Sequence, residues 1–326
     1  MKAIALFSGG LDSMLAIKVI QEQGIEVIAV NFNIGFGSTE DRREHMQKVA
    51  DEVGAELVIA DVRERYVKDV LFSPKYGYGS AFNPCIDCHG HMFKWAKEYM
   101  DKYGASFVIS GEVLNERPMS QRKEAMIQVE KISELEGLVL RPLSAKFMKP
   151  TIPEEKGWVD REKLLDIQGR SRKRQYELID KYGIDYFESP GGGCLLTDKF
   201  VATKINDFIK YDTFTKDDID VIKYGRHFRI SPTAKLVVGR HQEDNEKIKT
   251  IINKKFDTVF MPEGMTGPVS LLSKSATPED RETAAKIILT YGRTEPDTTY
   301  TVTIGEHGVA AAPYPSKDDV REMMLL

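Results

Sequence analysis

The stretch SGGLDS at residues 8–13 follows the short apolar run 3–7 and precedes the helical pattern of residues 14–20. Two adjacent glycines let the backbone come close to a ligand, and the first amides of a helix are unpaired donors. An anion is therefore expected in this strand-to-helix turn. Ionised Asp12 only accepts hydrogen bonds and is badly placed against phosphate unless Mg²⁺ lies between them, so the turn predicts a metal-bound polyphosphate.

The plain alternative is a turn that uses glycine for its geometry and serine as a helix cap. The complete hexapeptide, set between a clean strand and a clean helix, resembles the PP-loop of the N-type ATP pyrophosphatases. This resemblance implies cleavage of ATP between its α and β phosphates, with AMP transferred to an oxygen of a second substrate. The stretch does not resemble Walker A, because no Gly-Lys-Ser/Thr follows it, so γ-phosphate transfer is not expected.

The composition is that of an ordinary globular protein. The chain has 326 residues, of which 41% are hydrophobic and 29% charged, and its formal net charge is -4. This length allows two or three domains. A negative net charge gives no global attraction to nucleic acid, so RNA binding would depend on local basic patches.

The N-terminal sequence and the cysteine count indicate the compartment. No apolar run approaches the roughly 18 residues of a membrane span, and the first residues lead directly into a strand. The odd number of three cysteines argues against a disulfide framework. We therefore expect a cytoplasmic protein without a membrane partner, and we keep a homodimer as a candidate state.

Short strand patterns alternate with helical patterns after the first turn. Strands are expected over 26–32, 56–60 and 106–111, and helices over 43–53 and 92–103. This alternation predicts a parallel sheet, whose ligands bind at the carboxyl ends of its strands. Three such ends supply the residues expected to bind ATP: Ser8, Gly9, Gly10, Asp12, Ser13, Asn31, Phe32, Ser110 and Gly111.

The pattern changes near residue 142. Residues 1–142 are expected to form the PP-loop domain, and 143–199 a small helical basic region that a glycine cluster beginning at Pro190 closes. Residues 200–326 show hairpin and helix patterns typical of an α+β domain. The predicted fold class is therefore α/β, with a parallel-sheet domain followed by a helical region and an α+β domain.

Three cysteines form the second chemical motif. Cys85 and Cys88 lie in the segment PCIDCH, Cys194 follows three glycines, and all three are expected in loops. Two thiolates three residues apart chelate one metal ion or cluster, and a glycine-flanked third reaches it with little strain. Core packing or a thioredoxin-like pair explains the pattern less well. Zinc completed by His89 or His91, and an iron–sulfur cluster with one open iron, both remain.

The PP-loop and the cysteine segments stand in the same order as in the tRNA thiouridine synthetases. Over roughly its first 200 residues the chain is similar to the 2-thiouridylases, which place one catalytic cysteine in an Asn-Pro-x-x-x-Cys segment and another downstream after glycine. Cys88 and Cys194 match that pair. With Asp12, they are the catalytic residues that the resemblance implies. The additional Cys85 looks like the three-cysteine branch, for which binding of a [4Fe-4S] cluster by all three cysteines is implied.

Two positions near the fourth expected strand carry less information. The family's usual Gly-His is Gly111-Glu112 here, so no histidine role is carried over. Ser120 and Gln121 occupy the stretch where related enzymes contact adenylate or the target base. Their function is an expectation from the resemblance.

The C-terminal sequence resembles an RNA-binding module. Residues 238–245 and 261–268 resemble the NFACT RNA-binding domain, which implies a second RNA contact. Basic residues in two regions are expected to hold RNA phosphates, although each also fits a solvated surface. They are Arg170, Arg172, Lys173 and Arg174 in the helical region, and Arg226, Arg229 and Arg240, with His227 and His241, in the last domain.

Together these features imply ATP-dependent thiolation of tRNA. Adenylation gives a uracil carbonyl oxygen the leaving group that its replacement by sulfur requires. The expected partners and cofactors are tRNA, a sulfur donor (sulfide or a sulfur carrier), ATP, Mg²⁺ and a [4Fe-4S] cluster, with zinc as the alternative metal. A PP-loop ligase or amidotransferase acting on a small molecule, and a non-catalytic nucleotide sensor with structural zinc, are the alternatives.

Overall fold

A computed structural model describes residues 1–188 and 191–325. The chain divides into two compact units, the first of which is Met1–Thr197 and the second of which begins at Asp198. Pro190, which opens the predicted glycine cluster, lies outside the described residues. Each unit has its own sheet and its own hydrophobic core.

The first unit is built on a parallel sheet with the strand order β3-β2-β1-β4-β5. Its central strands read as continuous apolar runs because helices pack against them and bury their side chains. The strands are β1 (Lys2–Leu6), β2 (Glu26–Asn33), β3 (Glu56–Asp61), β4 (Phe107–Ser110) and β5 (Val139–Leu140). The predicted α/β class is confirmed.

The helices of the first unit connect these strands and continue after them. They are α1 (Leu11–Gln21), α2 (Arg43–Val53), α3 (Arg63–Tyr66), α4 (Cys85–Tyr103), α5 (Lys123–Ser133), α6 (Ile152–Glu155) and α7 (Lys173–Tyr182). A π-helical turn, Val67–Leu71, follows α3 directly. Helix α2 coincides with the predicted helix 43–53, and β2, β3 and β4 agree with the expected strands to within one residue at each end.

The position of β1 explains where a ligand fits. β1 pairs with β2 on one side and with β4 on the other. The chain therefore adds β2 and β3 on one side of β1 and then crosses over to begin β4 on the opposite side. Such a reversal of strand order leaves a crevice at the carboxyl ends of a parallel sheet. The turns that follow β1 and β4 flank this crevice.

Residues 143–188 are largely helical and irregular, as expected, but they pack onto the parallel-sheet unit. Leu164, Ile167, Leu178 and Ile179 belong to the same hydrophobic cluster as the buried side chains of α1 and α2. Helix α7 also contacts α1 directly. This region therefore shares a core with the sheet, because its apolar side chains are buried against α1.

The second unit contains an antiparallel sheet with the strand order β11-β10-β8-β9-β7-β6. Its strands are β6 (Arg226–Ser231), β7 (Ala234–Val238), β8 (Phe256–Phe260), β9 (Ser270–Ser273), β10 (Tyr300–Ile304) and β11 (His307–Ala311). Its helices are α8 (Lys199–Tyr211), α9 (Ile219–Lys223), α10 (Gln242–Thr250) and α11 (Pro278–Tyr291), of which α11 packs on the sheet. Across the described parts of both units, no helix combines the length and apolarity that a membrane span requires.

Replacing Gly111 with Ala should destabilise the first unit. A Cβ at this position would lie 2.4 Å from the carbonyl carbon of Asp12 and 2.5 Å from the amide nitrogen of Ser13, so the backbone would have to move. Overpacking of this kind costs about 1–3 kcal/mol of unfolding free energy. Urea unfolding of the two proteins measures the difference. Gly37→Ala is the matched control, because nothing lies within 4 Å of its added Cβ. Equal losses in both variants would contradict the close approach.

Candidate functional site

The PP-loop turn joins β1 to α1 in a conformation that requires glycine. Gly9 has a φ of 74°, and a Cβ there would lie 2.4 Å from the sulfur of Met46 on α2. The Ser13 hydroxyl donates to the Gly10 carbonyl at 2.7 Å, and the Gly10 amide donates to the Ser8 hydroxyl at 3.3 Å. No side chain among the described residues caps α1 at Gly10, so the N-terminus of the helix can accept an anion.

Asn31 and Gly111 bring the other two strand ends to this turn. The Asn31 side-chain amide donates to the carbonyl of Phe7, the last residue before the turn, at 2.8 Å. Gly111 lies so close to the backbone of Asp12 that no side chain would fit between them. The structure therefore brings together the three strand ends that the sequence pattern associates with ATP.

Phe32 and Ser110, also predicted to bind ATP, have side chains engaged within the fold. The ring of Phe32 packs against Trp95 and Tyr99 of α4, with centroid distances of 6.0 and 5.6 Å. Ser110 is buried, and its hydroxyl donates to the Glu112 carboxylate at 3.2 Å. Any nucleotide contact of these two residues would use their backbone, and that contact stays a prediction.

Glu112 forms a buried charge network at the end of β4. Its carboxylate accepts a hydrogen bond from Nε of Arg141 at 2.8 Å and lies 2.8 Å from Nδ1 of His89. Burial by itself raises the pKa of Glu112, but the charge of Arg141 and the hydrogen bond of His89 bring this pKa down to about 2. Because His89 directly follows Cys88, the network links the cysteine-bearing helix to the strand end beside the PP-loop.

Asp12 is ion-paired in the structure. Arg172 donates to Asp12 through one terminal nitrogen and to Glu116 through the other, and the Gln175 amide donates to Asp12 at 3.2 Å. Burial and the charge of Asp12 raise the pKa of Glu116, although Arg172 acts in the opposite direction. The residue predicted to sit beside Mg²⁺ and a residue predicted to hold RNA therefore contact each other.

Cys85 and Cys88 lie in the first turn of α4, so the expectation that all three cysteines are in loops is wrong for these two. Pro84 is the N-cap of α4, and its carbonyl accepts from the Cys88 amide at 2.8 Å. Proline and glycine in a sequence usually indicate a loop. Here Pro84 precedes the first helical residue, and Gly90 lies inside the helix. Glycine is needed at position 90 because a Cβ there would be 2.5 Å from Ile132 of α5.

Two buried polar side chains hold the start of α4 in place. The Asn83 side-chain amide donates to the sulfur of Cys85 at 3.2 Å. The Asp87 carboxylate accepts from the backbone amides of Lys75 and Tyr76 at 2.8 and 2.9 Å. The loop before α4 is therefore tied to the helix turn that carries both thiols.

Backbone hydrogen bonds hold the segment of Cys194 near the start of α4. The Leu195 amide donates to the Phe36 carbonyl at 2.9 Å, and the Phe82 amide donates to the Leu196 carbonyl at 3.0 Å. These bonds fix the segment that follows Cys194 against the segment that precedes α4. The three cysteines are thereby brought together from distant parts of the sequence.

The three cysteines are partly exposed and lie around the buried Tyr66 side chain. Burial raises the pKa of the Cys88 thiol well above its usual range, and negative charge on Cys194 and Cys85 raises it further. The Tyr66 hydroxyl faces these thiols and makes no hydrogen bond of ordinary geometry with a described residue. No three His, Cys, Asp or Glu side chains in the described ranges stand as a formed metal site. The cluster therefore stays a prediction.

The other basic residues of the helical region are exposed: Arg170, Lys173 and Arg174. Arg174 forms loose ion pairs with Asp166 at 3.3 Å and with Glu177 at 3.6 Å. Such exposed pairs contribute little to stability and exchange readily for other partners. A contact between these residues and RNA phosphates stays a prediction.

The basic residues named in the second unit are mostly paired within it. Arg229 donates to Asp207 at 2.8 Å, and Arg240 donates to Asp244 at 2.6 Å. Arg226 lies over an aromatic ring of α11 at 5.1 Å from its centroid. Their roles toward RNA stay predictions, and the local carboxylates already balance the charge of two of them.

Three further candidates are buried side chains: Ser120, Gln121 and His227. The side-chain oxygen of Gln121 accepts from the Arg117 amide at 3.1 Å, and its backbone carbonyl accepts from the Asn115 amide at 2.7 Å. Gln121 therefore shapes the loop after β4. Contact between this loop and adenylate or the target base stays a prediction.

Sequence reasoning missed the side chains that complete the site: Tyr66, Glu116, Arg141 and Gln175. Single polar residues whose partners are distant in sequence leave no local pattern; Gln175 stands 163 positions from Asp12. One signal was available. A glutamate directly after the strand-end glycine had to be either exposed or paired with a cation, and Glu112 is paired.

Two family models match parts of the chain. Residues 2–76 match the arginosuccinate synthase N-terminal HUP domain, and residues 225–315 match the NFACT protein RNA binding domain. The first match covers the PP-loop and strands β1 to β3. The second covers the antiparallel strands of the second unit.

Curated relatives match only part of this chain, and the chain covers only part of each relative. A tRNA-specific 2-thiouridylase of Fusobacterium nucleatum is 31% identical over 113 residues, which are 34% of this chain and 33% of the relative. A 7-cyano-7-deazaguanine synthase of Sulfurovum sp. is 34% identical over 86 residues, 26% of this chain and 36% of the relative. The chain thus spans about a third of the length of these relatives.

Among solved structures, a 4-thiouridine synthetase–RNA complex with bound ATP aligns with 56% of this chain and 51% of that chain. The identity is 20% and the TM-score 0.37, a likeness too distant to carry a structural argument. The two domain matches and the thiouridylase relative carry the resemblance instead. They confirm that the chain resembles the PP-loop tRNA thiouridine synthetases and ends in a domain like the NFACT RNA-binding domain.

Proposed function

We propose that this protein is an ATP-dependent tRNA-thiolating enzyme, which adenylates a uridine carbonyl oxygen and replaces it with sulfur. The observation that carries the proposal is a continuous path of contacts between the PP-loop and the thiols. Cys88 precedes His89, and His89 contacts Glu112. The neighbouring Gly111 lies against the backbone of Asp12. This path supports a single site for activation and for sulfur transfer.

The first chemical step uses the PP-loop. The phosphates of ATP are expected against the first amides of α1, with the hydroxyl of Ser8 as a further donor. The Ser13 hydroxyl would become a donor to phosphate by giving up its bond to the Gly10 carbonyl. The uridine carbonyl oxygen attacks the α phosphorus, and pyrophosphate leaves with the electrons of the broken bond. Asp12 would hold Mg²⁺, which when bound neutralises phosphate charge.

The second step exchanges oxygen for sulfur. A sulfur nucleophile adds to the activated carbon of the base, and AMP leaves with the original oxygen, so that a C=S bond remains. Water attacking the same carbon would return unmodified uridine. The buried side chain of Tyr66 beside the partly buried Cys88 supports this step because it limits the access of water to the activated base.

The thiols Cys85, Cys88 and Cys194 would hold the [4Fe-4S] cluster. Three thiolates are a donor set for iron–sulfur clusters, and the glycines before Cys194 allow its segment to adjust. A cluster with three protein ligands would supply one iron open to exogenous sulfide. Zinc stays the alternative metal: Nδ1 of His89 contacts Glu112 and Nδ1 of His91 contacts a backbone carbonyl at 2.9 Å, and a histidine held in this way through Nδ1 binds metals through Nε2.

Two observations support tRNA as the substrate. The second unit matches the NFACT protein RNA binding domain, and the Fusobacterium relative is named as a tRNA-specific enzyme. Because the net charge is -4, RNA would be held by local groups such as Arg170 and Lys173.

The deazaguanine synthase relative favours a second candidate function. In that candidate the same ATP chemistry activates a small molecule, and RNA has no effect on turnover. Pyrophosphate release measured with and without tRNA separates the two candidates.

The products of ATP test the PP-loop chemistry. We expect AMP and pyrophosphate, and Asp12→Asn should lower their formation about 100-fold or more, because the metal loses a ligand that stabilises charge in the transition state. Asp51→Asn is the matched control, since Asp51 is an exposed residue of α2 whose carboxylate bonds only to a glutamine in the structure's described contacts. Accumulation of ADP would refute α,β cleavage.

Anaerobic reconstitution tests the cluster. Wild-type protein should bind about four irons per chain and gain broad visible absorption, and Cys85→Ala, Cys88→Ala and Cys194→Ala should each lose both signals. Circular dichroism checks that the variants remain folded. One zinc per chain, with full activity after removal of iron, would count against the cluster.

Nucleoside analysis tests the substrate. Mass spectrometry of tRNA from cells without this gene should show the loss of one thiouridine, and purified enzyme with ATP and a sulfur donor should restore it. Unmodified tRNA transcript incubated without ATP serves as the control. An unchanged thionucleoside profile, together with no sulfur transfer by reconstituted enzyme, would favour the small-molecule ligase.

A further inference from the structure

Arg172 stands between the two binding functions of the proposed enzyme. It belongs to the basic stretch that includes the exposed Arg170 and Lys173, and it is the N-cap residue of α7. Its own side chain is only 17% exposed, because its guanidinium is turned toward the PP-loop and donates to Asp12 and Glu116. The positive charge of Arg172, which was expected to contact RNA, is therefore paired with carboxylates beside the PP-loop.

Both carboxylate oxygens of Asp12 accept hydrogen bonds in this arrangement. Oδ2 accepts from Arg172, and Oδ1 accepts from the Gln175 amide at 3.2 Å. A divalent cation coordinated by Asp12 would lie close to the guanidinium, and two like charges at one carboxylate repel each other. Arg172 and a metal–nucleotide complex therefore compete for Asp12.

The arrangement in which Arg172 and Gln175 both contact Asp12 leaves one buried polar atom without a hydrogen bond among the described residues. Gln175 is fully buried, yet its side-chain oxygen has no hydrogen-bond partner among the described residues. Buried polar atoms without a partner are rare in folded proteins and destabilise the state that contains them. Gly169 has a φ of 78° and precedes the stretch, and its amide donates to the Leu114 carbonyl at 2.7 Å, so a change of partner would occur in the Arg172 side chain.

We infer that Arg172 couples RNA binding to nucleotide binding. Without RNA it neutralises Asp12 and Glu116 and opposes the entry of metal and ATP. RNA phosphates that engage the basic stretch compete for the guanidinium and release Asp12 to the metal–nucleotide complex. This inference rests on the proposed function, and it explains how ATP would be kept from wasteful hydrolysis when no RNA is present.

Linkage makes the coupling measurable from both sides. If RNA raises nucleotide affinity by some factor, the nucleotide must raise RNA affinity by the same factor. The probes are the non-cleavable α,β-methylene analogue of ATP with Mg²⁺, and an unmodified tRNA transcript. Couplings of this kind typically amount to roughly 5- to 150-fold, and we expect a factor within that range for wild-type protein.

Arg172→Gln should remove the coupling. The variant should bind the analogue without RNA about as tightly as wild-type protein binds it with RNA, and the coupling factor should fall to about one. Arg174→Gln is the matched control: it removes one positive charge from the same stretch, but Arg174 contacts Asp166 and Glu177 rather than Asp12. It should weaken RNA binding and keep the coupling factor.

Three results would overturn the inference. Weaker analogue binding by Arg172→Gln without RNA would make Arg172 a phosphate ligand. An unchanged coupling factor in that variant, or an equal loss in both variants, would show that the Asp12 contact does not transmit the effect. Failure of wild-type protein to bind the analogue with or without RNA would instead refute the proposed function, and the inference with it.

Discussion

The close approach of Gly111 to the backbone of Asp12 and Ser13 is the constraint on which the site depends. The parallel pairing of β1 with β4 places Leu6 opposite Ser110, so the chain leaves both strands at the same level of the sheet. Only a residue without a Cβ allows the segments that follow these two strands to come into contact. The next residue along the chain, Glu112, is consequently carried to the start of the cysteine-bearing helix.

Charge is organised around that contact in two different ways. Glu112 is buried and paired with Arg141, which also contacts Glu130, so its ionised form is part of the fold. Asp12 lies at the crevice and has Arg172, a residue whose neighbours in sequence are exposed. A buried ion pair is strongly destabilising to break, whereas a partly exposed pair exchanges partners more readily. The ion pair of Glu112 with Arg141 is therefore suited to holding the site in place, and the pair of Asp12 with Arg172 is suited to exchanging partners when a ligand binds.

Local patterns in the sequence predicted the strand–turn–helix of the PP-loop, helix α2 and the strands β2 to β4, because apolar periodicity and glycine pairs act over a few residues. They wrongly predicted a loop at the start of α4. Gly90 looked like a loop residue, but it is a glycine because its helix packs closely against Ile132, which is distant in sequence. Ion pairs such as Arg172 with Asp12 join residues 160 positions apart and have no local signal. The assembly of the cysteines was expected from their spacing, from the glycines before Cys194 and from family resemblance, and the backbone bonds of Leu195 and Leu196 are its physical cause.

Those backbone bonds join segments that are synthesised at different times during translation. Cys194 is anchored through its neighbours to the carbonyl of Phe36 and the amide of Phe82, segments that leave the ribosome long before it does. The parallel sheet and the PP-loop are therefore translated before the third thiol exists. Any ligand that requires all three cysteines can therefore bind only after Cys194 has been synthesised, when the strands and the PP-loop turn of the first unit are already present in the chain.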